Sequence, residues 1–152
     1  MILEQRRARF VIWLSSIVIL LMSFMSVWQS VEEEATNTAV IVASKRILDR
    51  ANLFKQQYLL DRKQHDIEPF SGGLSYSKTG WLLPIKDNKR SCSFWLSQFY
   101  PKTEILGVGF PSIEDMSDQT QFHCRYHYTK KYQIDVRLNQ ERFNVKANIL
   151  AL

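Results

Sequence analysis

Glycine and proline are scarce in this chain, at five and four copies in 152 residues, which excludes a collagen-like or low-complexity polymer. A 12% aromatic content and 45% hydrophobic residues exclude general disorder, because there is enough apolar surface to build a core. Cysteine is limited to Cys92 and Cys124, too few for a disulfide-dense miniprotein or a four-cysteine zinc module. No G-x-S-x-G, H-E-x-x-H or glycine-rich phosphate loop occurs, so the chain carries no catalytic signature; no enzyme activity, cofactor or small-molecule substrate is expected. The length suits one modest domain with an appendage.

Charge is also missing from one place in particular. The 22 residues between Arg9 and Glu32 contain none, and they begin FVIWLSSIVILLMSFMSVW. As a helix rising ~1.5 Å per residue, residues 10–28 span about 28 Å, the hydrocarbon thickness of a bilayer. No face of the run is polar enough to meet water, which argues against a buried helix of a soluble protein. The four serines of residues 10–28 are compatible with lipid, because a helical serine can bond back to its own backbone. A cleaved signal peptide is the competing reading. It needs small residues at the cut, where this chain has Phe24, Met25, Val27 and Trp28.

The flanks give an orientation. Arg6, Arg7 and Arg9 precede the run and Glu32, Glu33 and Glu34 follow it, so the positive-inside bias predicts a cytoplasmic tail at 1–9, a membrane helix at 10–28 and export of the remainder. Setting aside Arg6, Arg7, Arg9 and Glu4 leaves 17 basic and 14 acidic residues, a modest +3 beyond the membrane. With no aromatic-interleaved basic stripe either, no nucleic-acid partner is expected.

Residues 29–65 contain no Gly or Pro, and Val40, Ile47, Ala51, Phe54 and Tyr58 recur at helical spacing. The pattern predicts that the membrane helix runs on without a break, as a rod of about 50 residues and ~75 Å. The first exported turns, VEEEATNTA, are too polar for a core. Gly72 and Gly73 mark a turn, Gly80 and Pro84 bracket the apolar piece Trp81-Leu82-Leu83, and SCSFWLSQFY reads as a short helix with a serine cap. Residues 105–110 are expected as a strand weakened by Gly107 and Gly109, and 111–119 as an acidic loop. From about 120 to 150, three alternating segments predict an antiparallel meander. Phe122, Cys124, Tyr126 and Tyr128 lie on one face, and His123, Arg125 and His127 on the other. The fold class is therefore α+β, with a long N-terminal membrane-spanning helix continuing into a small antiparallel sheet domain at 66–152 whose apolar face receives the helical stripe.

In an oxidising exported compartment Cys92 and Cys124 are expected to pair, pinning the short helix to the sheet; no CxxC is present to favour redox chemistry. His123, Cys124 and His127 invite a zinc reading that the strand geometry opposes. The histidines stand about 13 Å apart at ~3.3 Å per residue, and the cysteine faces the other way. The acidic stretch IEDMSDQ lacks the spacing of a calcium loop.

GWLLP, CSFWL, then FHCRYHY followed by YQIDVRL and RFNV, behind a basic tail and a membrane helix, together resemble the type IV pilin and pseudopilin family. The likeness covers most of the chain in order through short, loose motifs. It implies a pilin-like fold, a bacterial inner-membrane location with the C-terminal domain in the periplasm, and other pilus subunits or assembly-platform proteins as partners beside membrane lipid. It also makes the sheet face of His123, Arg125 and His127 the expected partner-facing surface. One departure qualifies it. A prepilin has Gly before its apolar helix and Glu five residues in, whereas this chain has Arg9 before Phe10 and Leu14 at the fifth position. The expectation is a non-enzymatic accessory that keeps its N-terminus. The alternative is a membrane-tethered periplasmic sensor or ligand-binding domain, for which nine residues ahead of the membrane are expected to be too few to hold an output domain.

Overall fold

A computed structural model describes residues 2–64, 74–105 and 107–150; the side chains at 2–8, 29–30 and 62–64 lie outside that description. The predicted turn at Gly72 and Gly73, the domain boundary near 65 and the side chains of Arg6 and Arg7 fall outside the described residues.

The N-terminal element is a single helix, α1, Ile2–Gln64. Nothing in its sequence can stop it, because the first proline is Pro69 and the first glycine Gly72. The chain divides into two compact units, Met1–Thr36 and Asn37–Leu152. In the first, every side chain from Phe10 to Trp28 is exposed. The helix holding them is long and apolar enough to cross a membrane, by length and composition. Ser16 and Ser23 spend their hydroxyls on the carbonyls of Trp13 and Ile19, at 2.8 and 2.9 Å, so these polar groups are satisfied within the helix.

The second unit is an α+β layer pair. After a two-residue hairpin, β1 (Ile85–Lys86) and β2 (Lys89–Arg90), comes α2 (Cys92–Phe99), then β3 (Ser112–Asp115), β4 (Gln121–His127), β5 (Tyr132–Asn139) and β6 (Arg142–Ile149). The last four form one antiparallel sheet in sequence order. Alternation buries one face of it. Cys124, Tyr126, Ile134, Val136 and Leu138 join Val40, Ala43, Ile47 and Ala51 of α1 and Trp95, Leu96 and Phe99 of α2 in a single core. Four rings, Trp81, Trp95, Phe99 and Phe143, meet with centroids 5.1 to 5.7 Å apart.

Buried polar tips act as ties. Trp95 Nε1 donates to the Leu82 carbonyl at 2.8 Å, Tyr126 Oη to the Cys92 carbonyl at 2.9 Å, and Tyr132 Oη to Asn37 Oδ1 at 2.8 Å. Ser91 caps α2, accepting from the Phe94 amide. The Cys92–Cys124 disulfide, with Cα atoms 5.6 Å apart, fixes the first turn of α2 to β4. Gly80 is required twice over. Its φ of +89° is a left-handed conformation, and a Cβ there would lie 2.6 Å from Tyr58 Cδ1.

Three local expectations are corrected. The expected strand at 105–110 is not seen among its described residues: Ile105 bridges only to Gly109, because Gly107 and Gly109 both take positive φ and turn the chain back. The acidic segment is not wholly loop: Ser112–Asp115 pairs with β4 as an edge strand. Such a strand needs only one bonded neighbour and no buried face, so it leaves little hydrophobic signature. The β1–β2 hairpin was also missed; its turn residues Asp87 and Asn88 both have positive φ, the conformation Asp and Asn tolerate best after glycine.

Candidate functional site: the polar face of the sheet

The face of the sheet opposite the core carries the predicted surface residues. The turn between β4 and β5 sets a register in which Arg125 faces Asp135, His123 faces Arg137 and His127 faces Gln133. On the outer strands Glu114 sits opposite Arg125 and Lys146 opposite Asp135. Side chains on one face are thus brought together from all four strands.

Asp135 is the centre of this face. It is only 3% exposed, because its long neighbours close around it. Oδ1 accepts from Arg125 Nε at 2.7 Å; Oδ2 accepts from Asn148 Nδ2 at 3.0 Å and lies 3.5 Å from an Arg137 guanidinium nitrogen. Burial works to raise the Asp135 carboxyl, but hydrogen bonds from Arg125 and His123 and their charges outweigh it, and the group sits below the usual carboxylate range. The same hydrogen bond to Asp135 raises Arg125 further.

His123 is 6% exposed, with Nε2 3.1 Å from Arg137 Nε and 3.4 Å from Asp135 Oδ1. Accepting from Arg137 requires a bare nitrogen and donating to Asp135 a protonated one, so Nε2 serves one partner at a time. His127 lies at the edge of the network, 3.0 Å from Glu114 Oε2.

Of the three residues expected to face a partner, then, His123 is withdrawn beneath its neighbours, Arg125 is half-buried in the ion pair and His127 is half-exposed. The groups that reach solvent include the cations Arg137, Arg142 and Lys146, with Ser112, Glu114, Asn139 and Asn144 on the same face. Asp135 and Arg137, which alternate with Ile134, Val136 and Leu138 along YQIDVRL, had no role among the expectations from sequence. The signal was available: folding the chain about Lys130 puts residue 125 opposite 135.

Chemically this arrangement is a structural ion network with a cationic rim. Asp135 is saturated by donors and is poorly placed as a base. Cys92, Asp115 and Cys124 also bring ligand-type atoms within 4.8 Å of one another, but the two sulfurs are bonded together and offer no thiolate to a metal. The two histidines share a face at four-residue spacing, and each is engaged by an acidic or guanidinium neighbour on that face.

Elsewhere, acidic groups shape turns. Asp118 accepts from the Thr120 hydroxyl and amide and from Gln121, which lowers its carboxyl to about 2. Glu141 accepts from the hydroxyls of Ser77 and Thr79 and is lowered by them, while its carbonyl takes Trp81 Nε1 at 2.9 Å. The 74–84 segment is thereby fastened to the β5–β6 turn.

No family model matches this chain, and no curated protein or solved structure matches it either.

Proposed function

We propose that this chain is a non-enzymatic, pilin-like accessory protein that serves the biogenesis of a type IV pilus, of the mannose-sensitive haemagglutinin (MSHA) kind that its motif order resembles. Residues 10–28 anchor it in the bacterial inner membrane with the N-terminus cytoplasmic, and the disulfide-stapled domain stands in the periplasm.

One observation carries the reading. The same uninterrupted helix, Ile2–Gln64, exposes an uncharged apolar stretch and, further along, buries Val40, Ile47 and Ala51 against an antiparallel sheet. A helix used in both ways suits a subunit that holds a folded head while remaining in lipid. The Cys92–Cys124 bond supports an oxidising compartment, since cytosolic thiols stay reduced. The cations at Arg137, Arg142 and Lys146 give the domain a charged surface for a protein partner.

The test is photo-crosslinking in cells from a benzophenone amino acid placed at Asn144, which is exposed. Recovery of pilus subunits or assembly-platform proteins is the expected result, and repeated recovery of none overturns the proposal. Intact-mass measurement of the membrane form is expected to show the N-terminal segment retained.

A further inference from the structure

Arg46 and Arg50 stand one turn apart on α1, and Lys102 follows the end of α2; together they rim a groove of ≈ 410 Å³ floored by Phe99 and Pro101 and lined also by Leu53. Asp49 lies beside them, yet among the described residues no carboxylate pairs with any of the three cations. Leu53 is 54% exposed at the mouth. An apolar floor under unpaired cations is complementary to a segment that offers an apolar side chain next to a carboxylate.

The same unit carries such a segment. Residues 110–118 hold Glu114, Asp115 and Asp118 with no basic residue, and they expose Phe110, Ile113 and Met116. Ile113 and Asp115 point to one side of edge strand β3, about 7 Å apart at the two-residue repeat. On α1, Arg50 and Leu53 are neighbours about 5–6 Å apart at i, i+3. The spacing of acid from apolar side chain on the strand therefore approximates that of cation from apolar side chain in the groove.

Both surfaces are exposed: Glu114 is engaged by His127 and Asp118 by Thr120 and Gln121, while Asp115 accepts from the Ser117 amide and, among the described residues, pairs with no cation. We infer that the acidic edge strand of one copy seats in the basic groove of a second copy, with Ile113 over Leu53 and Asp115 between Arg46 and Arg50. Two different patches meet in this contact, so it either closes reciprocally in a pair or repeats from copy to copy. The inference rests on surfaces of the Asn37–Leu152 unit alone and does not depend on the pilus assignment.

The test uses the full chain in non-ionic detergent, followed by sedimentation velocity. Self-association is expected at about 0.05 M salt and is expected to weaken at least ~10-fold near 0.5 M. The R46E/R50E variant and the D115K variant should each associate at least ~10-fold more weakly, the loss of one or two close charge pairs. An equimolar mixture of the two should associate again, because each supplies the surface the other lacks. A monomeric wild type, association indifferent to both reversals, or no recovery in the mixture would overturn the inference. A second measurement is independent of how the variants fold. A photo-crosslinker at exposed Leu53, with isotope-labelled and unlabelled copies mixed, should join residues 110–118 of the other copy. Crosslinks confined to other regions reject it.

Discussion

Two stretches of α1, residues 10–28 and 40–58, are helical for different reasons. In the first, apolar side chains point in every direction and all are exposed, Leu20 at 69%. In the second, Val40, Ala43, Ile47 and Ala51 form one buried stripe, with Ile47 at 0% exposed, while Lys45, Arg46, Asp49 and Arg50 stay in water and Ile41, Val42 and Leu53 are exposed beside them. The first stretch suits a surrounding apolar solvent, in which backbone hydrogen bonds must close internally and a helix is the only single-segment solution. The second suits a neighbour on one side and water on the other, and its stability comes from packing. One unbroken helix therefore carries two patterns of polarity, each suited to a different environment.

Perturbations that act on one stretch alone would sharpen this contrast. The largest expected effect is loss of the disulfide. The bond spans 32 residues, so C92S/C124S should destabilise the head by roughly 3.7 kcal/mol through the freed unfolded chain. Denaturant unfolding followed by near-ultraviolet circular dichroism of Trp81 and Trp95 reads this out. Reduction of the wild type should give a similar loss.

Next comes a matched pair. Ile47→Ala removes a fully buried side chain from the core and should cost about 3 kcal/mol in the same assay, by lost transfer energy plus the cavity left behind. Leu20→Ala removes an exposed one and should leave head unfolding unchanged in detergent. Equal effects at the two positions would erase the distinction between the stretches.

The smallest effect is in pH. The Asp135 carboxyl is held below its ordinary value of 3.8, so it contributes stability fully above that value and loses it as pH falls through the lower, folded-state value. The head should therefore lose stability below about pH 4, and D135N should flatten that part of the profile. Residues 10–28 contain no titratable side chain, so their helicity should not follow.

Much of this fold was legible in the residues. The period-2 alternation through 122–149 gave three strands with their faces, the helical stripe gave the packed side of α1, and Ser91 ahead of CSFWL gave a capped α2. What escaped was short or half-paired. β3 shows no burial pattern because it is an edge, and the Ile105–Gly109 turn resembled a strand because apolar residues flank its glycines. The polar face was visible as a set of outward positions, but His123 read as a surface residue. Its burial arises from Arg125, Arg137 and Asn148 converging on Asp135 from three strands, a product of register and side-chain length that spacing along one strand does not reveal.

By itself, then, the sequence determined the long helix, α2 and the three long strands, their apolar and polar faces, and a helix long enough to enter lipid, because each of these is a local periodicity or a local absence of charge. Only the tertiary structure decided which carboxylate is surrounded by donors and which cations are left without a partner beside an apolar groove. Those depend on distances between residues far apart in the chain, and such distances exist only once the helices have settled on the sheet.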